Sequence, residues 1–239
     1  MREFFEKLWY WLSTLLFAVL TVLFIFVLKE TIERELIFSI SRDIALSWSG
    51  SASYLGIVLG FAAYLIYMLF LIIPRVRHNL NWFMKFTHEL THTLVAIVFF
   101  GKIREFVVKD RECYVSYLSG PIGYIPTTLA PYCIPIYTLM LFPFRFTGDK
   151  DYILIIDFLI AFTYAFHLHT FINQTRYSQT DIQGCGPARS TTFIAAVHMI
   201  IMSLIVAIPK AGIANTFYRV FYEYPKGVIT KMVSYLEIL

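Results

Sequence analysis

Six long apolar runs constrain the fold of this 239-residue chain more than any other feature of its sequence. Each run is close to the length of about 20 residues that a helix needs to cross a bilayer. The runs are 8–28, 54–73, 82–100, 120–142, 152–173 and 193–208. With 58% hydrophobic and 15% charged residues, the chain has too few polar groups to cover a soluble globule. The sequence therefore predicts an all-α polytopic membrane protein with about six transmembrane helices.

Charge and cysteine content exclude several classes of function. The net charge of +4 is spread over many short loops and forms no basic block, so nucleic acid is not expected as a partner. The three cysteines, Cys113, Cys133 and Cys185, are far apart and have no C-x-x-C spacing. Neither a disulfide framework nor a cysteine-based metal site is therefore predicted.

Two of the runs have features of their own. The first is longer than the apolar core of a cleavable signal peptide and is expected to remain as an anchor. The fourth carries four prolines, which predict a kinked or partly unwound span close to the interior of the helix bundle. Those prolines are Pro121, Pro126, Pro131 and Pro135. Gly56 and Gly60, in the second run, form a G-x-x-x-G pair that would permit close helix packing.

The third run contains the segment His88-Glu89-Leu90-Thr91-His92. An ionisable side chain at the bilayer centre costs roughly 2.5–3.5 kcal/mol on insertion scales, so three of them in one run indicate a functional site. His at positions i and i+4 project from one helix face, where two imidazoles can bind a single Zn²⁺. The intervening Glu89 would lie beside the open coordination position, as a general base requires.

A short segment after this run does not have a helical pattern. Residues 103–108 and 113–118 are rich in Val, Ile, Phe and Tyr, and the charged residues 109–112 lie between them. This pattern predicts a small β-hairpin directly after the His-Glu-x-x-His helix. The edge of such a hairpin could pair with an extended substrate backbone. An amphiphilic surface loop without contact to substrate is the alternative.

The order of these features resembles the site-two-protease family of intramembrane zinc metalloproteases. The resemblance covers about 82–200, as a metalloprotease-like core. Residues 1–75 would add N-terminal spans, and 209–239 would form an interfacial C-terminal tail rich in aromatic and lysine side chains, or a helix packed on the bundle. The whole chain, 1–239, is then a single integral membrane domain.

The resemblance also implies a third zinc ligand, an Asp near the start of the third core helix. The nearest match is Asp181, although Ile182 and Gln183 follow it where the family usually has Gly. Other side chains remain open as the third ligand, as does a site without a third protein ligand. They are Asp157, His167, His169, His198 and Glu105. His167 and His169 are two residues apart on one helix, so at most one of them could face the metal.

The family implies hydrolysis of membrane-spanning or membrane-proximal peptide substrates by zinc-activated water, with Glu89 as general base. Water would reach the site past the broken fourth span and the 174–192 loop. The lipid bilayer, a membrane protein or peptide substrate and a regulatory membrane partner are the expected partners. Two alternatives use the same polar residues without hydrolysis. They are a catalytically inactive membrane scaffold and a carrier that conducts ions or protons.

Overall fold

A computed structural model describes residues 2–37, 52–109, 112–146 and 150–236. The chain is mainly helical, with one hairpin between the third and fourth helices. The elements are α1 (Arg2–Thr31), α2 (Ala52–Leu69), α3 (Pro74–Val98), β1 (Lys102–Val108), β2 (Cys113–Leu118), α4 (Pro121–Leu129), α5 (Ile136–Leu141), α6 (Lys150–Gln174), α7 (Thr180–Cys185), α8 (Pro187–Tyr218) and α9 (Tyr224–Leu236). Helix α8 is interrupted at Gly212, whose φ is 67°.

The predicted count of six spans is not confirmed. Among the described residues, four helical segments are long and apolar enough to cross a membrane, and the count is five if a bent pair of helices forms one span. The four segments are Glu3–Ile37, Tyr54–Ile72, Tyr152–Gln174 and Pro187–Pro209. The third predicted run, 82–100, lies mostly in α3. Helix α3 begins at Pro74, however, and is too polar to be counted among these segments. Its first turns contain Arg75, Arg77 and Asn81, and the motif itself adds three ionisable residues.

The fourth predicted span is bent, as its prolines predict. It is divided into α4, a 3₁₀ turn at Ala130–Tyr132 and α5. The two halves, Pro121–Tyr132 and Ile136–Arg145, meet at an angle of 98°. Proline has no N–H to donate and its ring clashes with the preceding turn, which is why the helix breaks here. The break frees backbone carbonyls inside the bundle, and two of these carbonyls accept hydrogen bonds from histidine side chains, as described below.

The G-x-x-x-G pair of α2 packs directly on α6. A Cβ atom added at Gly56 would lie 2.6 Å from the Leu154 carbonyl oxygen, and one added at Gly60 would overlap the Phe158 carbonyl oxygen. Only glycine permits so close an approach of the two backbones. The close packing predicted from the spacing is confirmed.

We expect Gly60→Ala to lower the free energy of unfolding by about 1–3 kcal/mol, because the new methyl group must displace the backbone of α6. A matched control is Gly227→Ala in α9, where an added Cβ meets nothing within 4 Å. That control should leave stability unchanged or raise it slightly, since alanine favours helix over glycine. Thermal unfolding of both variants in detergent tests the expectation. Equal midpoints would contradict it.

The hairpin predicted after the motif helix is present. β1 and β2 pair antiparallel, with Phe106 opposite Val115, and the ladder is irregular between Ile103 and Glu105. Of the predicted turn, Lys109 donates its backbone N–H to the carbonyl of Glu112 at 2.7 Å, and residues 110–111 lie outside the described ranges. Both strands pack against α3. The hairpin is thus held beside the motif.

The C-terminal segment packs against α1 and its π-helical continuation, Ile32–Ile37. Arg219 forms an ion pair of 2.5 Å with Glu35, whose side chain is 2% exposed. Tyr224 also donates a hydrogen bond to Glu35, and Lys231 pairs with Glu30 at 2.8 Å. The two ends of the chain are therefore joined. The interfacial position of 209–239 stays a prediction, as does the division of the chain into the parts proposed above.

Candidate metal centre

Three potential metal ligands converge where α3 meets α7. His88 and His92 lie one turn apart on α3, with ring centroids separated by 5.0 Å. Asp181 lies in the first turn of α7. Its Oδ2 atom is 3.9 Å from Nε2 of His88 and 3.6 Å from Nε2 of His92. One ligand atom from each of the three side chains lies within 4.8 Å of the others.

This arrangement fits a zinc ion. Two imidazoles and one carboxylate form a ligand set found in catalytic zinc sites, which keep a fourth position for water or substrate. Zinc–ligand bonds of about 2.0–2.1 Å in tetrahedral geometry place the ligand atoms roughly 3.4 Å apart. The His92–Asp181 distance of 3.6 Å is close to that value, and the His88–Asp181 distance of 3.9 Å requires a small adjustment. The side chains of His92 and His88 are only 5% and 13% exposed, so both imidazoles are already held in place.

The break in the fourth span orients His92. In a continuous helix the Thr127 carbonyl would accept the N–H of residue 131, but that residue is Pro131 and has none. The free carbonyl instead accepts a hydrogen bond from Nδ1 of His92 at 2.8 Å. A carbonyl only accepts, so Nδ1 carries the hydrogen, and a neutral imidazole then has its lone pair on Nε2. That nitrogen is the one facing Asp181, as a metal ligand requires.

Asp181 is oriented by Tyr132, which lies at the end of the 3₁₀ turn in the broken span. The Tyr132 hydroxyl donates to Oδ2 of Asp181 at 3.0 Å, and the Tyr132 side chain is 1% exposed. Burial raises the pKa of the Asp181 carboxyl, but the adjacent imidazoles of His88 and His92 and the hydrogen bond from Tyr132 outweigh it and hold the pKa below its usual range. Asp181 is therefore a carboxylate at neutral pH, the form that binds a cation.

We expect Tyr132→Phe to weaken zinc binding by about 10–100-fold while the chain still folds. Loss of an outer-shell partner that holds a metal ligand typically has an effect of this size. Tyr64→Phe is the matched control, because that hydroxyl is bonded to His169 instead. Competition with a chelator of known zinc affinity measures both variants. If Tyr132→Phe binds zinc as tightly as the control, Tyr132 does not position Asp181.

Glu89 projects from α3 toward the hairpin. Its side chain is buried, with 9% exposure, and its carboxylate interacts with the backbone amide of Val115 in β2. Glu89 also lines a cleft of about 480 Å³ together with His88. A polar opening thus reaches both Glu89 and one of the candidate ligands. A second cavity, of about 600 Å³, is almost wholly apolar and is lined by residues of other faces, such as Tyr67, Leu80 and Phe162.

The comparison with protein families gives a match to this part of the chain. Residues 61–174, just under half of the sequence, match the family model described as Peptidase M50B-like. Over this region the chain is similar to proteins of that family. The resemblance to site-two proteases seen in the motif order is thereby confirmed. Searches of curated proteins and of solved structures gave no match.

The match to the M50B-like model suggests a membrane metalloprotease, and M50 peptidases are generally zinc-dependent. The matched region contains the whole His88–His92 motif and both strands of the hairpin. Asp181 lies seven positions beyond the end of the match at residue 174. The position of Asp181 among the candidate ligands therefore rests on the geometry of this chain itself.

The other candidates for the third ligand have different partners. Asp157 forms a bidentate ion pair with Arg145, with distances of 2.7 and 3.0 Å. His169 bonds to the Tyr64 hydroxyl at 2.7 Å. Within the described ranges, the cluster of potential ligands around the motif consists of His88, His92 and Asp181.

The remaining candidates have their own contacts. His198 donates from Nε2 to the Tyr132 carbonyl at 3.0 Å, a carbonyl that the break before α5 frees from the helix. The ring of His167 lies 5.5 Å from that of His198. Glu105 interacts with the hydroxyl of Tyr114 at the exposed side of the hairpin. His198 is therefore the second histidine that satisfies the broken span.

Sequence reasoning missed three residues around this centre. Tyr132 and the Thr127 carbonyl orient two candidate ligands, and the ring of Tyr117 stacks on His92 with centroids 5.9 Å apart. No spacing pattern in the sequence distinguishes Tyr132 and Tyr117 from the other tyrosines. For Thr127 a signal did exist, because a proline at i+4 always leaves a helix carbonyl without its donor. Of the predicted water path, the 174–192 loop lines the cleft beside Glu89, through residues such as Ser178 and Gln179, whereas none of the described residues that line this cleft comes from the fourth span, 120–142.

Proposed function

We propose that this M50B-like chain is an intramembrane zinc metalloprotease that hydrolyses peptide bonds of membrane-spanning or membrane-proximal substrates. The observation that carries the proposal is the convergence of His88, His92 and Asp181, with Oδ2 of Asp181 3.6 and 3.9 Å from the two imidazole nitrogens. Glu89 is on the same helix and lines the cleft that reaches His88. The ligands and a base are thus held within one turn of α3 and one short helix.

In this proposal His88, His92 and Asp181 hold the zinc ion. When bound there, zinc supplies Lewis acidity that makes water a stronger acid and polarises a carbonyl oxygen. Glu89 acts as general base: its carboxylate takes one proton from the attacking water as the new C–O bond forms. Glu89 then passes a proton to the amide nitrogen as the C–N bond breaks, so that the products are a carboxylic acid and an amine. His92 keeps its orientation through the Thr127 carbonyl during these steps.

The hairpin would present the substrate to this centre. β2 is the strand beside the motif, because its Val115 amide interacts with Glu89 and its Tyr117 packs on His92. Within the described residues the sheet has two strands, so β2 has an edge not paired with β1. An extended peptide that adds to that edge would be held straight next to Glu89. A transmembrane substrate helix must unwind locally to bind in this way.

The proposal also places α3 at membrane depth, although α3 alone is too polar for a span by composition. Its motif residues face the hairpin and α7, and its other side packs Leu80 and Met84 against Tyr64 and Phe166 of the apolar helices. Ionisable residues within membranes are expected to face the bundle interior in this manner. Control by a regulatory membrane partner is part of the same proposal.

The experiment that tests the proposal uses the full chain reconstituted in vesicles with a panel of transmembrane peptides. Cleavage of at least one peptide is expected, stopped by a zinc chelator and restored when zinc is added back. In water enriched in ¹⁸O, the new carboxyl group should carry one labelled oxygen, as hydrolysis requires. Mass spectrometry reads both the cleavage site and the label. Cleavage that is insensitive to metal removal would contradict the metalloprotease assignment.

A further inference from the structure

A polar cleft leads along α3 to Glu89 and has an uneven distribution of charge. It consists of two adjoining cavities of about 480 Å³ each. Four residues line both cavities and so connect them: Lys85, Asn173, Gln174 and Arg176. The inner cavity ends at His88 and Glu89, and the outer cavity continues along α3 to Asn81 and His78. The cleft is therefore continuous with the proposed catalytic centre.

The charged groups that line the cleft are mostly cationic. Lys85 and Arg176 are cations, and the asparagine and glutamine side chains are neutral amides that can both donate and accept hydrogen bonds. Among the described lining residues the single carboxylate is Glu89, at the inner end. Both cations are exposed, Lys85 on α3 and Arg176 on the loop after α6. Positive charges thus lie on both walls of a passage that ends at one carboxylate.

The distance between Lys85 and Glu89 sets a scale for the ligand. Four residues of helix correspond to about 6 Å along α3. An extended peptide advances about 3.3 Å per residue, so a group that meets Lys85 is about two residues from a peptide bond beside Glu89. A chain in this cleft would pass between the two cations before it reaches the base.

We propose that this cleft is a substrate subsite that binds a peptide carboxylate about two residues from the scissile bond, between Lys85 and Arg176. The carboxylate comes from an Asp or Glu side chain or from the C-terminus of the peptide. The inference rests on the proposed protease function and adds the substrate class that this site prefers. Complementary charge of this kind contributes selectivity more than affinity.

The test measures binding of labelled peptides to the zinc-depleted full chain in lipid nanodiscs. Each peptide has the same apolar segment, followed by a polar end that contains either two Asp or two Asn, with a free or amidated C-terminus. We expect a carboxylate peptide to bind about fivefold more tightly than its neutral counterpart at low salt. The difference should shrink in 0.5 M salt, because screening weakens exposed ion pairs. If the difference in affinity depends on amidation of the C-terminus and not on the change from Asp to Asn, the terminal carboxylate is the ligand.

The variants identify the cleft as the cause. Lys85→Gln combined with Arg176→Gln should abolish the preference, whereas Lys226→Gln combined with Lys7→Gln, at exposed positions outside the cleft and the hairpin, should retain it. Equal binding of charged and neutral peptides, or a preference that survives in the cleft variant, would overturn the subsite. Cleavage by the wild-type chain without any charge preference would overturn the subsite alone. A charge preference in binding without cleavage of any peptide would instead count against the proposed protease function.

Discussion

Replacing Glu89 by Gln is expected to lower the rate of peptide-bond cleavage by about 10²–10⁴-fold, the usual contribution of a general base. Gln has nearly the same shape as Glu, but its amide cannot take a proton from water. The zinc content should stay at the wild-type value, because Glu89 is not among the clustered ligand atoms. The measurement is the initial rate of cleavage in vesicles, with zinc per chain determined on the same preparation.

The control for Glu89→Gln is the same substitution at Glu3, a side chain that is 80% exposed near the start of α1. That variant should cleave at the wild-type rate. A Glu89→Gln chain that retains full activity would contradict the role of Glu89. The scaffold alternative predicts that biological function survives Glu89→Gln, so a loss of cellular function in this variant separates the scaffold from the protease.

His92→Ala is expected to weaken zinc binding by more than about 100-fold, and to abolish cleavage at ordinary zinc concentrations. Loss of an outer-shell partner already costs about 10–100-fold, so loss of a ligand that bonds directly to the metal should cost more. The substitution also leaves the Thr127 carbonyl without its buried donor, which should lower stability by about 1–3 kcal/mol. Chelator competition and thermal unfolding measure the two effects.

His169→Ala provides the comparison for His92→Ala. That histidine also makes one hydrogen bond within the bundle, to the Tyr64 hydroxyl, but it lies outside the ligand cluster. The His169→Ala variant should be less stable than the wild type but should bind zinc as tightly. If both variants bind zinc equally well, His92 is not a ligand.

The local parts of this molecule could be predicted from sequence, because each depends on near neighbours in the chain. The shared face of His88 and His92 follows from helix periodicity, and the hairpin follows from its β-branched and aromatic residues around a charged turn. The bend of the fourth span follows from Pro126, Pro131 and Pro135. In each case the backbone has few alternatives.

The difference between the predicted third run and helix α3 has another origin. The apolar run extends only over 82–100, but α3 begins at Pro74 and its first turns are polar on one side. That side lines the cleft, at His78, Asn81 and Lys85. A criterion of uninterrupted apolar length misses a helix that is apolar on one side and polar on the other. The polar residues of α3 that line the cleft are therefore the ones that prevent its recognition as one long apolar helix.

The contacts that complete the centre are long-range and could not be predicted. Tyr132 and Asp181 are 49 residues apart, and His92 and Thr127 are 35 residues apart. No periodicity connects positions on different helices. Asp181 was proposed from a family resemblance, and only the packing of α7 against the broken span brings it to the histidines.

X-ray absorption at the zinc edge, on the full chain loaded with one equivalent of zinc, tests the metal centre most directly. We expect nitrogen and oxygen neighbours at about 2.0–2.1 Å with the multiple-scattering signature of two imidazoles. His92→Ala should lose one imidazole from that signature. A sulfur neighbour at about 2.3 Å, or a spectrum that His92→Ala leaves unchanged, would contradict a centre formed by His88, His92 and Asp181.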